Sequence, residues 1–306
     1  MKYLIMKLVM LVFLFPHFIL AQNNPIELGN VHWLRSFDEA QVRSKKEGKP
    51  ILILFQEVPG CETCRNYGSD VLTHPLIVEA IETEFIPLAI HNNKGGHDAE
   101  ILKRYQEPAW NNPVVRVVDS EGSNILPRLS GNYSAAGLTG LMTNALIKQK
   151  GKAPMYMQLL ADELSAQQKM TSKATYSMYC FWTAEALFGK LNGVIKTTAG
   201  FEGGKEVVVV EYNPSIISKA ELDKIAQGQK CAVSGGGSFR ADSTPKYYLS
   251  NSEYKVVPMT EIQKCRVNSA LAEKQDPRAF LSARQIAFLK TSSRNCVAIS
   301  LKDCWM

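Results

Sequence analysis

Two sets of residues in this chain could do chemistry on sulfur. Cys61 and Cys64 stand in Val58-Pro59-Gly60-Cys61-Glu62-Thr63-Cys64, directly after the apolar run Pro50 to Phe55. A strand that runs into a helix here puts the first thiol at the helix N-terminus, where unpaired main-chain N–H groups and the helix dipole favour the thiolate. Cys61 is then the attacking sulfur and Cys64 the resolving one. Two other uses of a C-x-x-C pair stay open. Structural zinc is one, although the other close cysteine pair lies far along the chain and the histidines lack complementary spacing. An inert structural disulfide is the other. Cys180 stands alone in Tyr179-Cys180-Phe181-Trp182-Thr183, just before an amphipathic stretch. Taken by itself, Cys-Phe-Trp also suits a cysteine buried among core aromatics.

The first residues bear on which environment these thiols meet. Lys2 and Lys7 flank the start of an apolar run, Leu8 to Leu20, that ends at Ala21 before Gln22-Asn23-Asn24. That is the pattern of a secretory signal peptide over residues 1–21. The run is short for a bilayer span and is broken by Pro16 and His17. The mature chain is therefore expected to be secreted or periplasmic. Seven cysteines in an exported chain point to disulfides, and an odd number leaves at least one thiol free or paired elsewhere. Cys231 and Cys265 are isolated, with mutual pairing one option; Cys296 and Cys304 close the chain. The net charge of +6 is dispersed among acids, which argues against a nucleic-acid partner.

At roughly 150 residues per domain, the remaining length favours two domains. Residues 30–150 alternate helix and strand in an α/β pattern. The expected elements are a Ser36-capped helix to Lys46, a buried strand Pro50 to Phe55, a helix Pro75 to Thr83, a strand Phe85 to Ile90 and a helix Asp98 to Gln106. A strand Val114 to Asp119, a turn at Glu121 to Asn124, a short strand to Leu129 and a helix Ser134 to Lys148 complete it. The polar break Gln149 to Pro154 places a linker there or slightly later, before Thr171. Residues 171–306 then offer a helix Thr183 to Leu191, a strand Glu206 to Tyr212, a helix Ser218 to Gln227 and a glycine-rich loop at Gly235-Gly236-Gly237.

Over residues 30–150 the chain resembles the thioredoxin superfamily. The strand, the C-x-x-C and the later Asn112-Pro113 before a strand match that fold, in which a cis-proline faces the active disulfide; Pro113 is the position that would carry it. The Val-Pro-Gly lead-in differs from the usual Trp-Cys-Gly-Pro-Cys and is similar to a thioredoxin-like family with a Val-Pro-Gly-Cys/Sec-x-x-Thr/Cys site. Some of its members are selenoproteins, which supports Cys61 as nucleophile.

Residues 175–304 resemble the A-type peptide methionine sulfoxide reductases, an α+β family, through several motifs in order. The family's Gly-Cys-Phe-Trp-Gly stands here as Tyr179-Cys180-Phe181-Trp182-Thr183. Its Gly-Val-x-x-Thr-x-x-Gly-Tyr-x-Gly-Gly is Gly193-Val194, Thr197, Gly200-Phe201 and Gly203-Gly204. Its His-Ala-Glu-Val-Val-x-Val-x-Tyr-Asp-Pro is Gly204-Lys205-Glu206 through Tyr212-Asn213-Pro214, so the family acid falls on Glu206. A looser match carries the family's Asp and Tyr onto Asp242 and Tyr247, and its two recycling cysteines have the separation of Cys296 and Cys304. A structural disulfide is the alternative for that last pair.

The resemblance implies a reaction. The Cys180 thiolate attacks a sulfoxide sulfur while Glu206 delivers a proton, Tyr247 hydrogen-bonds the oxygen, Asp242 gives a supporting contact, and Phe181 and Trp182 cage the S-methyl group. Cys296 then condenses with the Cys180 sulfenic acid, exchange with Cys304 brings the disulfide outward, and Cys61 reduces it. No metal or prosthetic cofactor is implied. The partners are oxidised methionine, by resemblance the S epimer, in peptides or proteins, and a membrane or periplasmic thiol reductant upstream of Cys61 and Cys64. Departures bear on the pocket: Tyr179 and Thr183 replace two glycines and are expected to crowd a tight turn. The stretch between Gly-Gly and His-Ala-Glu, with a second catalytic tyrosine, is missing, as is a His-Asp-Pro-Thr loop. Two rivals follow from these losses: a thiol-disulfide oxidoreductase whose second domain only binds clients, and a non-enzymatic disulfide-stapled binding module.

Overall fold

A computed structural model describes residues 24–234, 236–291 and 301. The expected signal peptide over residues 1–21, Gly235 of the glycine-rich loop, and the tail cysteines Cys296 and Cys304 lie outside the described residues. Among the described residues no helix is long and apolar enough to cross a membrane.

The first half runs α1 (Phe37–Glu47), β1 (Ile51–Gln56), α2 (Glu62–Asn66), α3 (Pro75–Glu84), β2 (Ile86–His91), α4 (His97–Arg104), β3 (Val114–Val118), β4 (Leu129–Ser130), α5 (Ala135–Lys150) and α6 (Met155–Gln167). Ser36 and Ser134 cap α1 and α5 by accepting the N–H of Glu39 and Gly137, contacts that contribute about 1 kcal/mol each. Every residue of β1 is buried, because β1 lies inside the sheet order β2-β1-β3-β4, parallel to β2 and antiparallel to β3. Side chains alternate along a strand, so β1 feeds two cores. Leu52 and Leu54 pack with α3 and α5; Ile51, Ile53 and Phe55 pack with α1 and α4. An apolar run that reads as one hydrophobic block is thus the central layer of a three-layer α/β sandwich.

The second half contains β5 (Ser172–Ser177), α7 (Phe181–Gly189), β6 (Val194–Glu202), β7 (Lys205–Tyr212), α8 (Lys219–Gly228), β8 (Ala232–Ser234), β9 (Phe239–Ala241), α9 (Tyr247–Ser250), α10 (Glu261–Ala272) and α11 (Ala283–Thr291). Its strands form a fully antiparallel sheet in the order β8-β5-β7-β6-β9, so this half is α+β. Strands β6 and β7 join through Gly203-Gly204, both at positive φ and flanked by the Glu202–Lys205 pair. Two such residues make the mirror-image turn whose twist suits a tight hairpin.

The segment expected to hold a linker contains α6. Its Tyr156, Met157 and Leu160 belong to the first core, whereas Leu159 and Ala166 pack with Ile195 of β6 and Ile262 of α10. Polar neighbours in sequence concealed a helix that serves both halves. Two buried glutamates reinforce the contact. Glu163 on α6 accepts the Ile262 N–H at 2.8 Å at the start of α10. Glu79 on α3 accepts Ser282 Oγ at 2.7 Å and the Arg284 N–H at 2.8 Å at the start of α11. Each satisfies donors that a helix N-terminus leaves free.

Burial pushes the Glu163 carboxyl above the ordinary glutamate range, against the opposing pull of the Ile262 N–H. The folded chain therefore holds this proton where the unfolded chain has lost it, and stability from this group falls as pH rises from about 4.3 through the raised value. Glu163→Gln keeps an acceptor for Ile262 and has no proton to lose. Its melting temperature is expected to gain on the parent's as pH is raised across that window; parallel curves would refute the ionisation at this contact.

Candidate functional site

The first constellation sits at the end of β1. Cys61 is the N-cap of α2 and is exposed, while Cys64, one turn on, is fully buried; their sulfurs are 3.6 Å apart. The main-chain N–H of Cys64, at the start of α2, holds the Cys61 pKa below the ordinary thiol value. Burial, with the neighbouring Cys61 sulfur, pushes Cys64 up to about 12. The pair is therefore split into a thiolate-forming outer sulfur and a protonated inner one. Cys64 Sγ donates to Asn112 Oδ1 at 2.6 Å, and Asn112 is joined to Pro113 by a cis peptide bond, so Pro113 belongs to this site. Gly60 N–H is held at 2.9 Å by the buried Glu27 carboxylate, which fixes the turn into the pair. Glu27 has no marker in the sequence beyond its polarity, since a tertiary contact alone brings it here, whereas Asn112 precedes the proline that the sequence picked out.

The second constellation gathers Cys180, Phe181, Trp182, Glu206 and Asp242. Together with Tyr179 and Phe201 they line an open cleft of about 490 Å³. Cys180 is the half-buried N-cap of α7, which begins at Phe181, two residues before the expected start. Glu206 Oε2 accepts the Phe181 N–H at 2.8 Å, so the carboxylate satisfies a free donor of α7 next to the cysteine. The tight hairpin sets Phe201 directly opposite Glu206, and Phe201 packs edge-on to Phe181 with centroids 5.1 Å apart. Gly200 beside it is required by close approach: a Cβ there would lie 2.4 Å from the Arg240 carbonyl oxygen on β9.

Trp182 forms a further wall. Its indole N–H donates to Asp242 Oδ2 at 3.1 Å, and Tyr247 stacks on it at 3.9 Å between centroids. Tyr247 thus supports Trp182 from outside the cleft lining, whereas the resemblance gave it a contact with the sulfoxide oxygen. Tyr247 is held by its neighbour. Lys246 is buried in the left-handed region at φ 54, its N–H and Nζ each 3.0 Å from a carboxylate oxygen of the buried Glu185. Removing one partner of a buried ion pair typically costs about 3–5 kcal/mol, so this contact outweighs the exposed ion pairs of the chain. Sequence reasoning missed it, although a glutamate one turn beyond Trp182 within α7 was a usable signal.

Two expectations require correction. Tyr179 does not crowd the turn, because its side chain is fully exposed, and Thr183 is exposed as well. Cys231 and Cys265 do not pair: both are free and buried, Cys231 in the core of the second sheet and Cys265 on α10 with its sulfur 3.7 Å from Thr197 Oγ1.

The chain is similar to several known proteins over parts of its length. Residues 32–120 match the thioredoxin-like family, and the first half is a thioredoxin-like domain. Part of the chain is 40% identical over 62 residues to a peptide methionine sulfoxide reductase of Drosophila melanogaster, covering 16% of this chain and 25% of that protein. It is 41% identical over 69 residues to peptide methionine sulfoxide reductase MsrA of Methanococcus maripaludis, covering 17% and 44%. The chain spans less than half the length of these curated relatives. Among solved structures, a DsbH oxidoreductase is similar over 42% of this chain and 92% of its own, at 20% identity and a TM-score of 0.34.

The asymmetry between the two sulfurs has a direct readout. Brief treatment of the reduced native chain with iodoacetamide near neutral pH is expected to label Cys61 far ahead of Cys64. Peptide mass mapping checks this, and equal labelling would contradict the split.

Proposed function

We propose that the chain is a thiol-dependent reductase of methionine sulfoxide in peptides or proteins, acting on the S epimer outside the cytoplasm, with the thioredoxin-like half recycling the second half. The reading rests on the carboxylate of Glu206 anchored on the first N–H of α7, beside Cys180 and within an aromatic cleft. Named relatives of part of the chain are peptide methionine sulfoxide reductases, which supports the same substrate class.

In this reading the methyl group of the side chain enters between Phe181, Trp182 and Phe201, which offer apolar faces and exclude water. The Cys180 thiolate attacks the sulfoxide sulfur and Glu206 protonates the oxygen. Methionine leaves and the oxygen stays on Cys180 as a sulfenic acid. Attack by the Cys296 thiol forms a disulfide and releases water, and Cys304 exchanges into it to give the Cys296–Cys304 pair. Cys61 then attacks that pair and Cys64 resolves the mixed disulfide, leaving both tail thiols reduced and Cys61–Cys64 oxidised. An external dithiol reductant restores the first pair. Linking donor and acceptor in one chain raises their effective concentration.

Tyr247, stacked behind Trp182 and absent from the cleft lining, favours a second reading. In it the cleft binds sulfoxide or thioether clients without turning them over, and only the first half exchanges disulfides. Turnover by the reduced mature chain on each methionine sulfoxide epimer with dithiothreitol separates the two: release of methionine from the S epimer supports the reductase, and its absence from both supports the second reading.

Glu206→Gln is expected to slow reduction by roughly 10²-fold while leaving the circular dichroism spectrum intact, since a positioned acid contributes about that factor. Parent-like rates would remove Glu206 from the proton transfer. Cys304→Ser should retain one stoichiometric turnover, seen by quenched flow, but lose repeated turnovers that draw electrons through Cys61 and Cys64; Cys180→Ser should lose both. Undiminished repeated turnover in Cys304→Ser would make the tail pair a structural staple.

A further inference from the structure

Beside the redox pair stands a third group with a metal-ligating atom, a carboxylate. Glu57 follows β1 directly, and a carboxylate oxygen of Glu57 and the sulfurs of Cys61 and Cys64 all lie within 4.8 Å of one another. Glu57 is half-buried and Cys61 exposed, so the triangle opens to solvent on one side while Cys64 forms its inner corner.

From this geometry we propose that the reduced Cys61–Cys64 pair and Glu57 form a binding site for a thiophilic divalent cation of the zinc class. Tetrahedral zinc, with Zn–S of about 2.3 Å and Zn–O of about 2.0–2.2 Å, requires two sulfurs about 3.8 Å apart and a carboxylate oxygen about 3.6 Å from each. The sulfurs already stand 3.6 Å apart, and the oxygen lies within 4.8 Å of both, so closure needs a shift of roughly 1 Å by a side chain at a strand end. Three protein ligands leave the fourth position to water, as in open zinc sites. The mixed S₂O donor set suits zinc over magnesium or calcium, which take oxygen ligands.

Binding exchanges thiol protons for the metal. Each thiol that still carries a proton releases it to solvent as its sulfur takes the metal. No electrons move. The consequence is that a zinc-capped pair presents no free thiolate to any disulfide, so the metal and the electron-transfer role of this site exclude each other. The proposal stands whether or not Cys180 is catalytic.

The test uses the full mature chain, reduced, titrated with zinc sulfate against a chromophoric chelator, with cobalt(II) as a spectroscopic substitute. The parent is expected to bind one zinc that the chain oxidised to a Cys61–Cys64 disulfide does not bind, releasing about one to two protons per metal. Its cobalt form is expected to show sulfur-to-metal charge transfer, lost in Cys61→Ser and in Cys64→Ser. Glu57→Gln should weaken zinc by roughly tenfold or more, the scale seen even for outer-shell changes at metal sites. Glu57→Asp, which keeps the charge and shortens the reach, should fall between. Equal zinc affinity in Glu57→Gln and parent, unchanged binding in Cys61→Ser, or no metal on the reduced parent overturns the site.

Discussion

A carboxylate taken out of water needs donors, and in this chain glutamates repeatedly find them in main-chain N–H groups that secondary structure leaves free. Glu163 and Glu79 take the first turns of α10 and α11, Glu206 takes that of α7, Glu27 takes Gly60 ahead of the redox pair, and Glu185 takes Lys246 ahead of Tyr247. The same constraint therefore fastens the halves to each other and builds both sulfur sites. Four of these five are buried, so each contact is shielded from competing water, and loss of either partner leaves an unsatisfied polar group.

The two sites differ in how they treat their sulfurs. At the first, depth separates two thiols only 3.6 Å apart, and the contrast of an exposed sulfur with a buried one is what gives the pair a direction. At the second, the single Cys180 shares an open cleft with two carboxylates and four aromatic side chains. Helix α6 is the mechanical link, since its two faces enter different cores.

Gly203 and Gly204 turn β6 into β7 within two residues, and the register that results sets Phe201 against Glu206. The aromatic and the acid are thereby brought to one face of the sheet by hydrogen-bond pairing. On the far side, the stack of Tyr247 on Trp182 shows a ring that supports the wall rather than reaching into the cleft.

Most of the first half was legible because its signals are local. A fully apolar strand, serine caps and a C-x-x-C after a strand act within a few residues, and β1, α1 and α5 fall within a residue or two of their expected places. In the second half only β7, α7 and α8 were legible; β5, β6, β8 and β9 have mixed patterns whose burial depends on their neighbours. Cys61, Cys64, Cys180 and Glu206 could be singled out from residue type and spacing together with family resemblance. Tertiary structure alone decided that α6 is shared rather than a linker, that Cys231 and Cys265 stay apart, and that Tyr247 backs Trp182. It alone brought Glu27 to the Gly60 N–H and the Asn112 side chain to Cys64. The physical reason is that a capping box or a buried strand is set by neighbours in sequence, whereas a donor for a buried carboxylate can come from anywhere in the chain, as Glu79 and Arg284 show.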